Sequence, residues 1–194
     1  MMVFTHVLLG ALVGAVAGTF TGNSTTMLVL AGAIGGGLPD LDMAWRHRRA
    51  LHFPFLGSSL AILTTIGALL RPTQFVVASA VFAIAFALHP LMDVLGGGKE
   101  LRPWHQTDDR AVYDHVRRRW FTARRFVYDG SPGDLAICAF AGIAVSLQSP
   151  SRVGDAVGVI LVLATAYAVL RREITRRIPG DVDTYESWLR DAVR

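Results

Sequence analysis

Gly36-Gly37-Leu38-Pro39-Asp40-Leu41-Asp42-Met43-Ala44-Trp45-Arg46-His47-Arg48-Arg49-Ala50-Leu51-His52 is the stretch on which the reading of the fold turns. It closes an uncharged run, residues 7–39, and passes within a few positions to acids, histidines and arginines. An apolar helix that ends on Pro-Asp-x-Asp and a basic patch reads as a segment leaving hydrocarbon. The proline and the paired carboxylates break the helix at that exit, and a loop-like Asp-x-Asp can turn both carboxylates toward one cation.

The rest of the 194 residues agrees, with 52% hydrophobic and only 18% charged side chains and a mean hydropathy of +0.42. That is too apolar for an ordinary soluble domain, and a soluble bundle of buried helices is the competing reading. Further uncharged stretches cover residues 51–70, 72–88, 135–151 and 156–170, and a polar Gly-Asn-Ser-Thr break near residues 22–26 divides the first run. Six helices are predicted, at about 3–20, 25–39, 53–70, 74–95, 133–148 and 154–171. No basic region precedes the first, which therefore reads as a retained span and not a signal peptide. Gly10, Gly14 and Gly18 form a stripe of small residues, and Gly32 and Gly36 supply a second stripe able to face it.

Basic residues set the expected orientation. Arg46, Arg48 and Arg49 follow the second span; Lys99, Arg102, Arg110, Arg117, Arg118, Arg119, Arg124 and Arg125 follow the fourth; Arg171, Arg172, Arg176, Arg177, Arg190 and Arg194 follow the sixth. Only Arg71 and Arg152 fall on the other side, so both termini are expected in the cytoplasm of a multi-pass protein of the cell membrane. The net charge of +4 and isoelectric point near 9.8 then report topology and contact with the lipid bilayer. Nucleic acid is not an expected partner, because no recognition module accompanies the arginines.

The expected fold is all-α: one polytopic membrane domain over residues 1–171, with a cytoplasmic loop at 96–134 and a cytoplasmic tail at 172–194. Within the loop, Val112, Val116, Trp120 and Ala123 recur at helical spacing, which predicts an amphipathic interfacial helix over residues 109–126. It serves as an anchor or as a lid. His105 and His115 read as polar surface residues, Asp129 or Asp134 as the cap of the fifth helix, and Tyr185 and Trp188 as contacts that return the tail to the bilayer. Cys138 is the lone cysteine and forms no internal disulfide.

The chemistry lies in seven side chains that even numbers of crossings return to one membrane side: His6, Asp40, Asp42, His47, His52, His89 and Asp93. His89 and Asp93 stand at i and i+4, which places imidazole and carboxylate on one helix face. Nitrogen and oxygen donors without thiolate suit Zn²⁺ first, with Mn²⁺ or Fe²⁺ as alternatives. Seven donors exceed the needs of one catalytic zinc ion, so two metals or supporting partners are expected. Asp40 or Asp93 is the candidate proton acceptor for attack of water on an ester or phosphoester. Arg46, Arg48 and Arg49 are candidates to hold an anionic substrate group. The rival readings are a transporter or channel, and a structural or regulatory membrane protein that uses the His–Asp cluster for stability.

These residues resemble the YdjM-like family of predicted membrane-bound metal-dependent hydrolases, also described through a LexA-regulated inner-membrane member. The resemblance rests on His6, on Leu38-Pro39-Asp40-Leu41-Asp42, on His47-Arg48 followed by His52, and on His89-x-x-x-Asp93, and covers roughly residues 1–100. Ala111-Val112-Tyr113-Asp114-His115-Val116 with Tyr128-Asp129-Gly130-Ser131-Pro132 looks like an extension of archaeal relatives. The resemblance implies a multi-span protein with a divalent-metal site and a hydrolase role but does not identify the substrate. The leading reading of the residues is an ester or phosphoester at the cytoplasmic membrane surface, lipid-linked among the options. Relatives often carry Thr-His-Ser where this chain has Leu51-His52-Phe53, without the flanking hydroxyls.

Overall fold

A computed structural model describes residues 1–178. The tail contacts expected of Tyr185 and Trp188 lie outside the described residues. Six α-helices stand close to the expected positions: α1 (Val3–Thr21), α2 (Thr25–Gly37), α3 (Pro54–Leu70), α4 (Gln74–Leu95), α5 (Pro132–Gln148) and α6 (Ser151–Arg177). Prolines open α3 and α5, where a missing N–H costs nothing, and the Ser131 hydroxyl accepts from the Asp134 amide at the start of α5. Ser131, and neither Asp129 nor Asp134, is therefore the cap of that helix. α6 continues past residue 171, so the first part of the expected tail is helical.

Among the described residues, α1, α4 and α6 are long and apolar enough to cross a membrane, while α3 and α5 are shorter apolar helices. α2 has only 13 residues, roughly 20 Å of rise, and falls short of the hydrocarbon thickness. The expectation of six transmembrane helices is thus coarsened to a multi-pass bundle in which three helices have spanning length. Large apolar side chains on the outer faces agree with lipid contact, among them Leu60, Leu63 and Leu70 of α3 and Val162, Val169 and Leu170 of α6.

α1 and α2 approach at the glycine stripes. A Cβ on Gly10 would stand 2.1 Å from the Gly32 carbonyl oxygen, and one on Gly36 would stand 2.2 Å from the His6 carbonyl oxygen. Only glycine permits this backbone contact, which holds the start of α1 beside the end of α2. α4 packs on both helices and on α3, while α5 joins α1 to α6. Leu8, Ala11, Cys138, Ala141, Val145 and Ala164 fill the α1–α5–α6 core.

The all-α expectation needs one correction. Residues 109–126 form no interfacial helix; they contain an antiparallel hairpin, β1 (Arg110–Asp114) and β2 (Arg119–Thr122). Val112, Tyr113, Trp120, Phe121 and Thr122 are β-formers, and the helical spacing of four apolar residues was outweighed by cross-strand pairing and tertiary contacts. Tyr113 pairs with Trp120, their rings 5.4 Å apart, and Asp114 accepts from the Val116 and Arg117 amides to close the turn.

Candidate metal centre

Where α2 ends, the Leu38–Ala44 segment winds into a 3₁₀ turn that presents Asp40 and Asp42 inward. The chain then loops through residues 45–53 before α3. Arg48 adopts a left-handed conformation in this loop, φ 61°, and is held from both sides. Its amide donates to Asp42 Oδ1 at 3.2 Å, and its carbonyl accepts from the Tyr113 amide of β1 at 3.0 Å.

Asp42 is saturated. Its oxygens accept from the amides of Arg48, Arg49 and Leu51, and lie 3.1 Å from His47 Nδ1 and 2.9 Å from His52 Nδ1. Burial pushes the Asp42 carboxyl up, yet the bonds to His47 and His52 outweigh it and hold it below the ordinary carboxylate range. With Nδ1 anchored there, His52 turns Nε2 toward Asp93 Oδ2 at 3.2 Å. Burial draws the His52 pKa down, but its bonds to Asp42 and Asp93 raise it above the usual imidazole value.

α4 contributes the next two groups on one face. Pro90 removes the amide that would bond the Phe86 carbonyl, in the turn that carries His89 and Asp93. His89 Nδ1 lies 2.6 Å from the Gly36 carbonyl oxygen and donates to it, which leaves Nε2 to face the cluster. That nitrogen faces Asp40 Oδ1 at 3.4 Å and Asp93 Oδ2 at 3.6 Å. The Asp40 carboxyl is pushed up by burial and held down more strongly by His89. Asp93 Oδ1 lies 3.2 Å from His6 Nε2, 2.9 Å from the Met1 amino nitrogen and 3.5 Å from Arg48 Nη2. The His6 ring stacks on His89 with centroids 3.8 Å apart.

All seven expected donors thus gather at one end of the bundle, in unequal positions. One ligand atom each from Asp40, His52, His89 and Asp93 lies within 4.8 Å of the others, and all four residues are buried. Such a group can hold a metal ion. His89 Nε2 and Asp40 Oδ2 are buried without a hydrogen-bond partner, as donor atoms reserved for a cation would be. Asp42 and His47 stand behind His52, and His6 stands behind Asp93.

The three arginines also separate. Arg48 is buried, and its Nη1 donates to the Gly97 carbonyl at 2.6 Å. Arg49 stacks its guanidinium 4.2 Å from the Tyr113 ring centroid, while Arg46 is exposed. His115, expected as a surface residue, bonds the Arg49 carbonyl at 2.7 Å and ties the hairpin to the site loop. His105 is exposed, as expected. Sequence reasoning missed the Gly36 carbonyl, a backbone group with no sequence signal. It also missed buried Asp134, which accepts from the Met2 amide and the Thr5 hydroxyl and docks α5 on α1.

Multiple apolar helices around a buried His–Asp cluster define the class, a multi-pass membrane protein with a group able to coordinate a metal. The chain belongs to the YdjM inner membrane protein family, whose model matches residues 1–175. No curated protein and no solved structure matches it.

Proposed function

We propose that the protein is a metal-dependent hydrolase that acts at the cytoplasmic membrane surface on an ester or phosphoester. The observation that carries this reading is the four-residue cluster, with its converging donor atoms and its two unpartnered ones. Two imidazole nitrogens and two carboxylates fit Zn²⁺ best, with Mn²⁺ or Fe²⁺ as the other members of that chemistry.

His52 and His89 would hold the ion through Nε2, with Asp40 and Asp93 as the carboxylate partners. Such an ion supplies Lewis acidity toward a substrate oxygen and makes water acidic enough to lose a proton near neutral pH. Asp42 and the Gly36 carbonyl fix the two imidazoles by bonding their Nδ1 atoms, the usual support for a metal-bound histidine. Asp40 Oδ2 accepts the proton of the attacking water. The Arg48 guanidinium, beside Asp93, holds the anionic group of the substrate. Arg71 and Arg152 lie at the opposite end from the arginine-rich loops, which supports a cytoplasmic site.

A transporter needs polar groups along the bilayer midplane, whereas this cluster sits at helix ends. The test is metal analysis of purified wild type and His89→Ala, followed by hydrolysis assays on carboxyester and phosphoester lipids with metal-loaded protein. Stoichiometric metal in wild type and its loss in the folded variant are expected, together with turnover only in the former. Wild type without bound metal sinks the reading.

A further inference from the structure

Beside the cluster, at the same end of the bundle, lies a cavity of about 390 Å³, within the range of small-molecule sites. Its lining joins two kinds of surface. Asp40, Arg48 and Lys99 are charged and at most 9% exposed, while Phe4 of α1 and Tyr167 and Ile174 of α6 are apolar or aromatic. Two acids of the lining are neutralised by arginines. Asp129 Oδ2 pairs with Arg171 Nε at 2.7 Å, and Glu100 Oε1 with Arg125 Nη1 at 2.6 Å. Arg48 keeps a buried Nε–H without an acceptor. Arg48 already meets Asp93 through Nη2, and phosphate oxygens are the acceptors that suit the Nε–H its guanidinium leaves unused.

The apolar part has its own meaning. Tyr167 and Ile174 belong to the helix whose neighbouring Val169 and Leu170 are exposed as a lipid-facing surface does. An amphiphile resident in the bilayer reaches such a cavity without first entering water. We propose that the cavity binds a single-chain lipid phosphate. Its phosphate meets Arg48 and Lys99 next to Asp40, and its chain lies against Phe4, Tyr167 and Ile174. The proposal deepens the hydrolase reading by naming its substrate class, and it rests on that reading only for turnover.

Equilibrium binding to the full chain in zwitterionic nanodiscs, with empty discs subtracted, tests it. The probes are octyl phosphate, octanol and inorganic phosphate, each measured on metal-free protein so that the outcome does not depend on the metal site. Octyl phosphate is expected to bind at least about tenfold more tightly than either fragment. Ile174→Trp, at a position 41% exposed and so tolerant of bulk, should weaken octyl phosphate while leaving inorganic phosphate unchanged. Lys99→Gln, or Lys99→Met if the first variant loses its helical signature, should weaken both phosphates and leave octanol unchanged. Inorganic phosphate bound as tightly as octyl phosphate would assign the cavity to soluble anions and overturn the proposal. Octanol bound as tightly, or indifference to Ile174→Trp, would overturn it as well. Absence of stoichiometric metal with octyl phosphate still bound would remove the hydrolase reading alone.

Discussion

His52 Nδ1 lies 2.9 Å from Asp42 Oδ2, and that contact decides what each residue can do. Asp42, bonded also by three backbone amides, has little capacity left for a cation. His52 is left with Nε2 facing the cluster. Asp42→Asn keeps the shape but offers one acceptor in place of two and no charge. Metal affinity is expected to fall about 10–100-fold while the metal stoichiometry persists, as for other supporting carboxylates. Competition titration against a chromophoric chelator measures it; an unchanged affinity would remove Asp42 from the supporting role.

Asp93 faces five partners: His6, His52, His89, Arg48 and the Met1 amino group. Asp93→Ala leaves buried positive charge without its counterion, at a cost of roughly 3–5 kcal/mol. A lowered melting temperature is expected even in metal-free protein. His89→Ala should be milder, because His89 holds no such hub position. Equal destabilisation by the two substitutions would contradict this ranking.

Glycine substitutions separate contact from propensity. Gly32→Ala drives a Cβ to 2.0 Å from the Gly10 carbonyl oxygen and should cost about 1–3 kcal/mol, the usual range for overpacking. Gly158 of α6 meets nothing within 4 Å, so Gly158→Ala should be neutral or stabilising by up to about 1 kcal/mol. Thermal unfolding of the two variants in one detergent gives the comparison. A destabilised Gly158→Ala beside an unaffected Gly32→Ala would refute the close α1–α2 contact.

The loop before the hairpin carries a pH dependence. Burial pushes the Asp108 carboxyl up, and its bonds to the Arg110 side chain and amide outweigh that and hold it below the ordinary value of 3.8. A depressed folded pKa contributes stability that is complete above the unfolded value and lost as pH falls through the folded one. The stability gap between wild type and Asp108→Asn should therefore be constant from pH 7 to about 5 and close progressively below about 4. Denaturant unfolding at several pH values reads this gap, and one that widened on acidification would have the wrong sign.

Orientation is open to labelling. In a Cys138→Ala background, Arg118→Cys places a thiol at the hairpin turn and Arg152→Cys at the opposite end of the bundle; both positions are exposed. A membrane-impermeant maleimide added to intact cells should label position 152 and leave position 118 unlabelled until the membrane is opened. The reverse pattern would place the cluster outside the cell.

Much of this architecture is local and therefore legible in the residue order. Uncharged runs, prolines and glycines located six helices, all but the C-terminal end of α6 to within about three residues, since hydrocarbon transfer and helix termination act over one segment at a time. Alternation of those helices was enough to bring His6, Asp40, Asp42, His47, His52, His89 and Asp93 to one end. Residue order could not divide the seven. Whether a histidine faces the cluster depends on which acceptor holds its Nδ1, Asp42 for His52 and the Gly36 carbonyl for His89, and the latter is 53 positions away in the chain. The hairpin at Arg110–Asp114 and Arg119–Thr122 was hidden for the same reason. Its pairing and its bonds to Arg48 and Arg49 outweigh a weak helical spacing, and such distant contacts exist only once the chain has folded.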